Sequence, residues 1–210
     1  KKAVLELNEY PLATEGNKLT KIKIIKKYLR FITLHFVFPL LDGVIVISKN
    51  LEMLAKRYAK KSNIIKIPIL TDENILSKTE HINLKRPYLF HAGSLSEQKD
   101  GIVKVFETFA KAHQALKEKH DVLLKFKLTN KTTQPETWQK IHDILIQNNL
   151  EHQVKITGFL SDKELVQTER NALALLINKP PTFQNQYNFP TKLSSYLASG
   201  RPVIVAAKNI

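Results

Sequence analysis

The chain has 210 residues, a formal net charge of +14 and no cysteine, and 43% of its residues are hydrophobic. That apolar content supports a real core and excludes a disordered chain, while the lack of thiols excludes disulfides and cysteine-ligated metals. A positive balance of this size points to an anionic partner: nucleotide phosphates, a membrane surface or nucleic acid. The length allows one large domain or parts of two. The sequence shows no apolar run long enough to span a bilayer, no leader peptide is expected, and the missing cysteines fit a reducing compartment. A cytoplasmic protein is expected, with peripheral contact to the inner membrane face as a further expectation. The chain opens at Lys1 without a Met and stops at Ile210 just after a strand, so a piece of a longer protein is expected.

Residues 4–7 (VLEL) predict a short strand, ended by Asn8 and Pro11. Glu6 and Glu9 at its end have the chemistry of an acid or base, and equally that of solvated carboxylates. Residues 18–40 predict one long helix. Its first half carries Lys18, Lys21, Lys23, Lys26, Lys27 and Arg30 without an acid, while Ile22, Ile25, Leu29 and Ile32 recur at helical spacing. Two readings fit it: a basic amphipathic helix on an anionic membrane, or a packed helix with one solvated face. A buried strand over 43–47 follows. Ser48 caps a helix over 49–60, and a strand over 64–70 is placed near an edge by Pro68. The polar, aperiodic residues after it read as a linker between domains.

A second βα series then begins, with strands over 88–92, 122–128, 154–157 and 172–177. Gly93 and Ser94 make the first turn, and small residues there let backbone N–H groups approach phosphate oxygens. Residues 98–101 follow, and then an amphipathic helix to about residue 117. Thr129 ends the second strand, and Trp138 in the next helix is expected in the core or at the sheet rim. Ser161 and Glu164 form a capping box. Residues 188–205, NFPTKLSSYLASGRPVIV, read as a Pro-started, Gly-stopped helix feeding a buried strand, with Leu193, Tyr196 and Leu197 facing a core. Its N-terminus, with Lys192 in the first turn, suits a phosphate. The seven histidines lack metal spacing and no DxD pattern occurs, so no metal is expected. His91 reads as a hydrogen-bonded histidine at the sheet rim.

FPTKLSSYLASGRPVI resembles the donor segment of GT-B glycosyltransferases of the family 4 type, close to PTKLxEYLAxGKPVI. GSLSEQK at 93–99 resembles that family's GRxxxxKG turn, with Gly93 and Lys99 matching and Ser94 in place of Arg. ELNEYP and DGVIVIS resemble the end of the family's N-terminal domain. The resemblance implies an α/β fold of two Rossmann-like, doubly wound parallel-sheet domains, the first incomplete. Its boundaries fall at 1–72 for the end of the acceptor-side domain, 73–86 for the linker and 87–210 for the donor domain.

The implied activity is transfer of a sugar from a nucleotide-sugar donor to an acceptor hydroxyl, in cell-surface polysaccharide or glycolipid synthesis, without a cofactor or metal. The acceptor would be a sugar or lipid-linked molecule. Gly93, Ser94, Lys99, Lys192 and Leu193 are implied around the diphosphate, and Thr129, Gly158, Phe159, Leu160 and Ser195 around base and ribose. No catalytic residue is implied within the chain. Ser195 and Tyr187 stand where the family has an acid pair, the first of which holds the donor ribose. An active enzyme in which Ser195 or Asn188 takes over that contact, and a nucleotide-sugar-binding module impaired in catalysis, are therefore both retained. A nucleic-acid-binding protein is the third reading, disfavoured because the lysines are scattered without interleaved aromatics.

Overall fold

Among the described residues of the computed structural model of the protein, eight parallel strands form two sheets. The structure describes residues 1–12, 21–70, 87–93, 95–130 and 134–207. The linker expected at 73–86, the start of the helix expected from residue 18, and Ser94 lie outside the described residues. The chain divides into two compact units: Lys1–Ile69 with Pro181–Pro190, and Leu70–Pro180 with Thr191–Lys208. Residues 181–190, read from sequence as a loop of the second domain, group with the first unit.

In the first unit, β1 (Val4–Leu7), β2 (Gly43–Val46) and β3 (Asn63–Lys66) form a sheet in the order β1-β2-β3. The register places Val4 beside Gly43 and Val46 beside Lys66. α1 (Lys21–Ile32) continues into a wider π-helical turn, Thr33–Val37, and a 3-10 turn, Phe38–Leu40. The single long helix expected there is therefore three helical segments in succession, and the run ends where Leu41 turns extended. α2 (Lys49–Tyr58) starts at Ser48, whose hydroxyl accepts the Leu51 N–H at 3.3 Å. Leu7, Phe38, Val44, Val46, Leu51 and Leu54 make the core.

α1 itself buries nothing. Ile22 is 66% and Ile25 58% exposed. Lys23, Lys26 and Arg30 are the half-buried side, with the Arg30 guanidinium 5.4 Å from the Tyr10 ring. The apolar arc therefore faces away from the unit's core. Periodicity marks the two faces of a helix without saying which one packs.

In the second unit the strands are β4 (Tyr88–His91), β5 (Lys125–Leu128), β6 (Val154–Ile156), β7 (Ala174–Lys179) and β8 (Val203–Ala207). Their order is β6-β5-β4-β7-β8. The helices are α3 (Glu97–Asp100), α4 (Ile102–His120), α5 (Pro135–Gln147), α6 (Asp162–Arg170) and α7 (Lys192–Ala198). Alternation along the strands divides the core between the two faces of the sheet. Leu89, Phe126 and Leu128 pack with Phe106, Phe109 and Ile141, with Trp138 at the periphery of that cluster. Tyr88, Phe90, Leu175 and Ile177 pack with Tyr196.

Two apolar expectations fail at the end of the chain. Ile204 and Val205 on β8, the last strand among the described residues, are 52% and 45% exposed where a buried strand was expected. Leu197 is 63% exposed, leaving Tyr196 and Leu193 as the residues α7 packs inward.

Candidate functional site

In the second unit the chain leaves β4 toward β5 on one side, and β7 later pairs on β4's other side. This is the topological switch point of a doubly wound sheet, where a crevice opens outside the carboxyl ends of the strands. The ends of β4 and β7 bring His91, Ala92 and Gly93 close to Asn178 and Lys179, and α7 returns to the same place.

Lys192, the first residue of α7, is the centre of the arrangement. Its ammonium donates to the Ala92 carbonyl at 2.6 Å and to His91 Nε2 at 3.3 Å. His91 Nδ1 lies 3.1 Å from the Leu176 carbonyl, which can only accept, so Nδ1 carries the proton and Nε2 is the acceptor. Burial, and then the neighbouring ammonium, keep His91 neutral by holding its pKa far below the ordinary histidine range. Burial brings Lys192 down to about 8, with Asp100 opposing that shift. Tyr196, one turn along α7, has its phenol oxygen accept the Ala92 N–H at 2.8 Å. The helix is thus fastened to the β4 loop at two points, and the lysine is held in place before any ligand arrives. α7 has seven residues, so the lysine rather than the helix dipole supplies most of the positive charge. It begins one residue later than expected, with Thr191 rather than Pro190 at its margin.

Gly93 lies directly under the ammonium. It adopts φ 102°, and a Cβ there would sit 3.5 Å from Lys192 Nζ. Its N–H, expected to face phosphate, instead donates to Thr129 Oγ1 at 2.8 Å. Thr129 therefore braces the β4 loop. α3 follows, capped by Ser96, whose hydroxyl accepts the Lys99 N–H at 3.2 Å. Asp100, buried to 4% exposure, accepts from Lys179 Nζ at 3.3 Å and from the Ser96 N–H at 3.3 Å. Asn178 Nδ2 donates to the Asp100 carbonyl at 2.7 Å and to that of Gly101 at 3.3 Å. Gly101 holds φ 52°, and a Cβ would come within 2.8 Å of that amide nitrogen.

Of the residues expected around a diphosphate and a ribose, the structure joins Gly93, Lys192, Thr129 and Ser195 through contacts on the β4 loop and α7. The Leu193 side chain packs into the core beneath. Gly158, Phe159 and Leu160 follow β6. Phe159 is 97% exposed, and Leu160 lines a groove with Tyr88, Lys127 and Lys155. No hydrogen bond recorded among the described residues ties that segment to Ser195. Glu6, outside the sheet's core, accepts from Asn8 at 2.9 Å.

Sequence reasoning missed Glu169. Ser195 Oγ lies 3.2 Å from Glu169 Oε1 and 3.0 Å from the Lys192 carbonyl. Glu169 is 1% exposed, its Oε2 has no hydrogen-bond partner, and burial raises its carboxyl to about 7 against the smaller opposing effect of the Ser195 bond. The sequence clue for Glu169 was its spacing of three from Val166, both inward on α6. Among the described residues no His, Asp and Glu cluster has the geometry to hold a metal ion.

The family model for the glucosyltransferase 3-like, C-terminal domain matches residues 122–210. No curated protein matches the chain by sequence. Among solved structures, HepE of Anabaena, described in complex with UDP and glucose, superposes with a TM-score of 0.67 and 15% identity over 100% of this chain and 54% of its own. Sucrose-phosphate synthase of Thermosynechococcus elongatus gives 0.63 and 16% over 98% and 50%. The pneumococcal O-GlcNAc transferase GtfA, in complex with UDP and GlcNAc, gives 0.57 and 19% over 87% and 33%. The chain spans a third to about half of the length of these proteins. Its two parallel sheets and its switch-point crevice are those of the GT-B glycosyltransferase fold, and it is to that fold that the chain belongs.

Proposed function

We propose that the chain is part of a glycosyltransferase that moves a sugar from a nucleotide-diphosphate donor to an acceptor hydroxyl, in the synthesis of a cell-surface polysaccharide or glycolipid. The observation that carries this reading is the Lys192 ammonium, held at the switch point by His91 and Ala92 with only a glycine beneath it. Negative charge develops on the departing diphosphate during transfer, and a fixed cation in a water-poor crevice stabilises it without reorganisation. Lys99 and the Leu193 backbone N–H complete the diphosphate site with Gly93, and Ser94 stands where the family's arginine would be. A charge supplied by lysines makes the transfer metal-independent and cofactor-free. Ser195 takes the ribose, Thr129 acts through the loop it braces, and the Gly158–Leu160 segment meets the base, with the exposed Phe159 ring available for stacking.

Titration with UDP tests the site. Replacing Lys99 and Lys192 together with alanine is expected to weaken UDP at least tenfold, about 1.4 kcal/mol, while circular dichroism stays unchanged. Wild-type affinity in the double variant would remove the assignment.

One observation favours the second reading, a binding module impaired in catalysis. Tyr187, at the position of one family acid, is committed to an aromatic cluster with Tyr10 and Phe183 at centroid distances of 4.6 and 5.2 Å. UDP binding without UDP release from any sugar donor would select it.

We assign α1 a peripheral contact with an anionic membrane. Its support is the outward apolar arc of Ile22, Ile25, Tyr28 and Leu29, flanked by lysines. Among the described residues no helix is long and apolar enough to cross a membrane. The lysines' scatter leaves nucleic acid outside the proposal.

A further inference from the structure

At one end of the second sheet, β5 and β6 carry a charge pattern that the switch-point crevice does not use. Strands of a parallel sheet are ordinarily apolar on both faces, because helices cover both. β5 (KFKL) and β6 (VKI) alternate instead. Phe126, Leu128 and Val154 turn to one core. Lys125, Lys127 and Lys155 therefore share the opposite face, the one on which Tyr88 and Phe90 pack with Tyr196. The register sets Lys127 directly beside Lys155, and adjacent strands lie only about 4.8 Å apart. Like charges paired in this way oppose the sheet.

Nothing among the described residues offsets them. The ion pairs found there lie elsewhere. Burial, and then Lys155 and Lys125, lower the Lys127 pKa, and no carboxylate opposes that shift. The Lys127 ammonium lies 3.5 Å from the centroid of the Tyr88 ring. Tyr88 is the first residue of β4, so the ammonium leans toward the amino ends of the strands, away from the crevice at their carboxyl ends. Lysines on an edge strand keep it from pairing with another chain, which accounts for Lys155. It does not account for Lys127, half-buried on a strand with a neighbour on each side.

These lysines face open space. A groove of about 370 Å³ runs between this face and α6, lined by Tyr88, Lys127, Lys155, Gln167 and Asn171. Glu164 lines it too, but its carboxylate accepts from the Ser161 N–H at 2.9 Å and from the Ser161 hydroxyl at 2.6 Å. Those bonds, not the lysines, lower its pKa. Leu160 is the one residue the groove shares with the segment proposed to meet the base.

We propose that this groove is a second anion site, separate from the crevice, and that it takes a small molecule carrying a diphosphate group between Lys127 and Lys155, with Lys125 adding to the field. A phosphate monoester brings only about 1.5 to 2 negative charges at neutral pH, so two phosphoryl groups match the three lysines better than one. The ligand turns a cross-strand repulsion into a bridge. The site does not depend on the glycosyltransferase reading.

The test is calorimetric titration of the full chain with pyrophosphate, in excess UDP and at constant ionic strength. Pyrophosphate is expected to bind, to weaken roughly tenfold or more in Lys127→Gln with Lys155→Gln, and to keep its affinity in Lys99→Ala with Lys192→Ala. Without pyrophosphate the glutamine variant is expected to melt at or above the wild-type temperature, since a repulsion is removed. Pyrophosphate is expected to raise the melting temperature of the wild type and not that of the variant. Should the double variant melt early, Lys155→Gln alone, at an exposed position, carries the same expectation in direction. Absence of binding, or binding that survives loss of the two groove lysines, overturns the proposal. Binding lost with Lys99 and Lys192 also overturns it, by placing the anion in the crevice. A single-stranded oligonucleotide that binds through Lys127 and Lys155 more tightly than pyrophosphate does so as well, because the occupant is then a polymer.

Discussion

Half-buried Lys192 and buried Glu169 are two ionisable groups on different helices, and their pH responses run oppositely. The Lys192 pKa, near 8 in the folded protein, lies below the ordinary 10.5. Between these values the unfolded chain holds more protons, so stability rises with pH as the buried charge is lost. Affinity for a diphosphate falls over the same window, since the neutral amine no longer attracts it. Titration with UDP at about pH 9.5 is therefore expected to give roughly tenfold weaker binding than at about pH 7; an unchanged affinity would show that Lys192 does not face the ligand. Glu169 is raised from 4.5 to about 7. Between those values the folded protein holds the extra proton, so stability falls as pH rises through the window and levels off above it. Glu169→Gln is expected to melt roughly 2 °C or more above the wild type at about pH 8, with the difference closing toward pH 5; equal melting at both values would contradict the buried charge. Lys192 was legible in the sequence because PTKL names it. His91 as its support was not, since the two stand 101 positions apart and only the pairing of β4 with β7 brings them together. Glu169 was hidden for a related reason: its partner Ser195 comes from a helix 26 positions on.

At the scale of elements, the junction between α3 and α4 shows where local reading stopped. A helix beginning after Gly101 and running to about residue 117 was expected; the structure has it, and adds the short α3 on the other side of that glycine. The junction itself is held by tertiary contacts. Asn178 of β7 inserts its amide where a Cβ would lie, and bonds two carbonyls of the junction. Gly101→Ala is expected to destabilise the protein by about 1–2 kcal/mol from the left-handed backbone alone, with more from the contact. Chemical denaturation measures this, and an alanine variant as stable as wild type would show that the junction relaxes freely. The capping box at Ser161 and the cap at Ser48 were legible in the sequence and are present, since a cap depends on four adjacent residues and no distant partner.

For the whole molecule, the alternation of strands and helices was enough to give parallel sheets, because crossover connections leave few other arrangements. Which way α1 turns its apolar arc was not legible. Its outward orientation makes a prediction: Ile25→Glu with Leu29→Glu is expected to abolish flotation with vesicles containing anionic lipid, without lowering the melting temperature. Both side chains are exposed, at 58% and 45%. Retained flotation would remove the membrane assignment. The first unit also has an order of assembly written into it. Its sheet comes from the first 69 residues, but two rings of its aromatic cluster come from residues 181–190, where the Tyr187 carbonyl accepts the Ser48 hydroxyl at 2.8 Å. During synthesis the unit that emerges first must wait for more than a hundred further residues before it can close. The intervening segment, which supplies most of the second unit, is complete or nearly so by then. Cleavage within 71–86 would not release two self-sufficient halves, since the amino-terminal piece would leave behind the segment that fastens onto Ser48 and Tyr10.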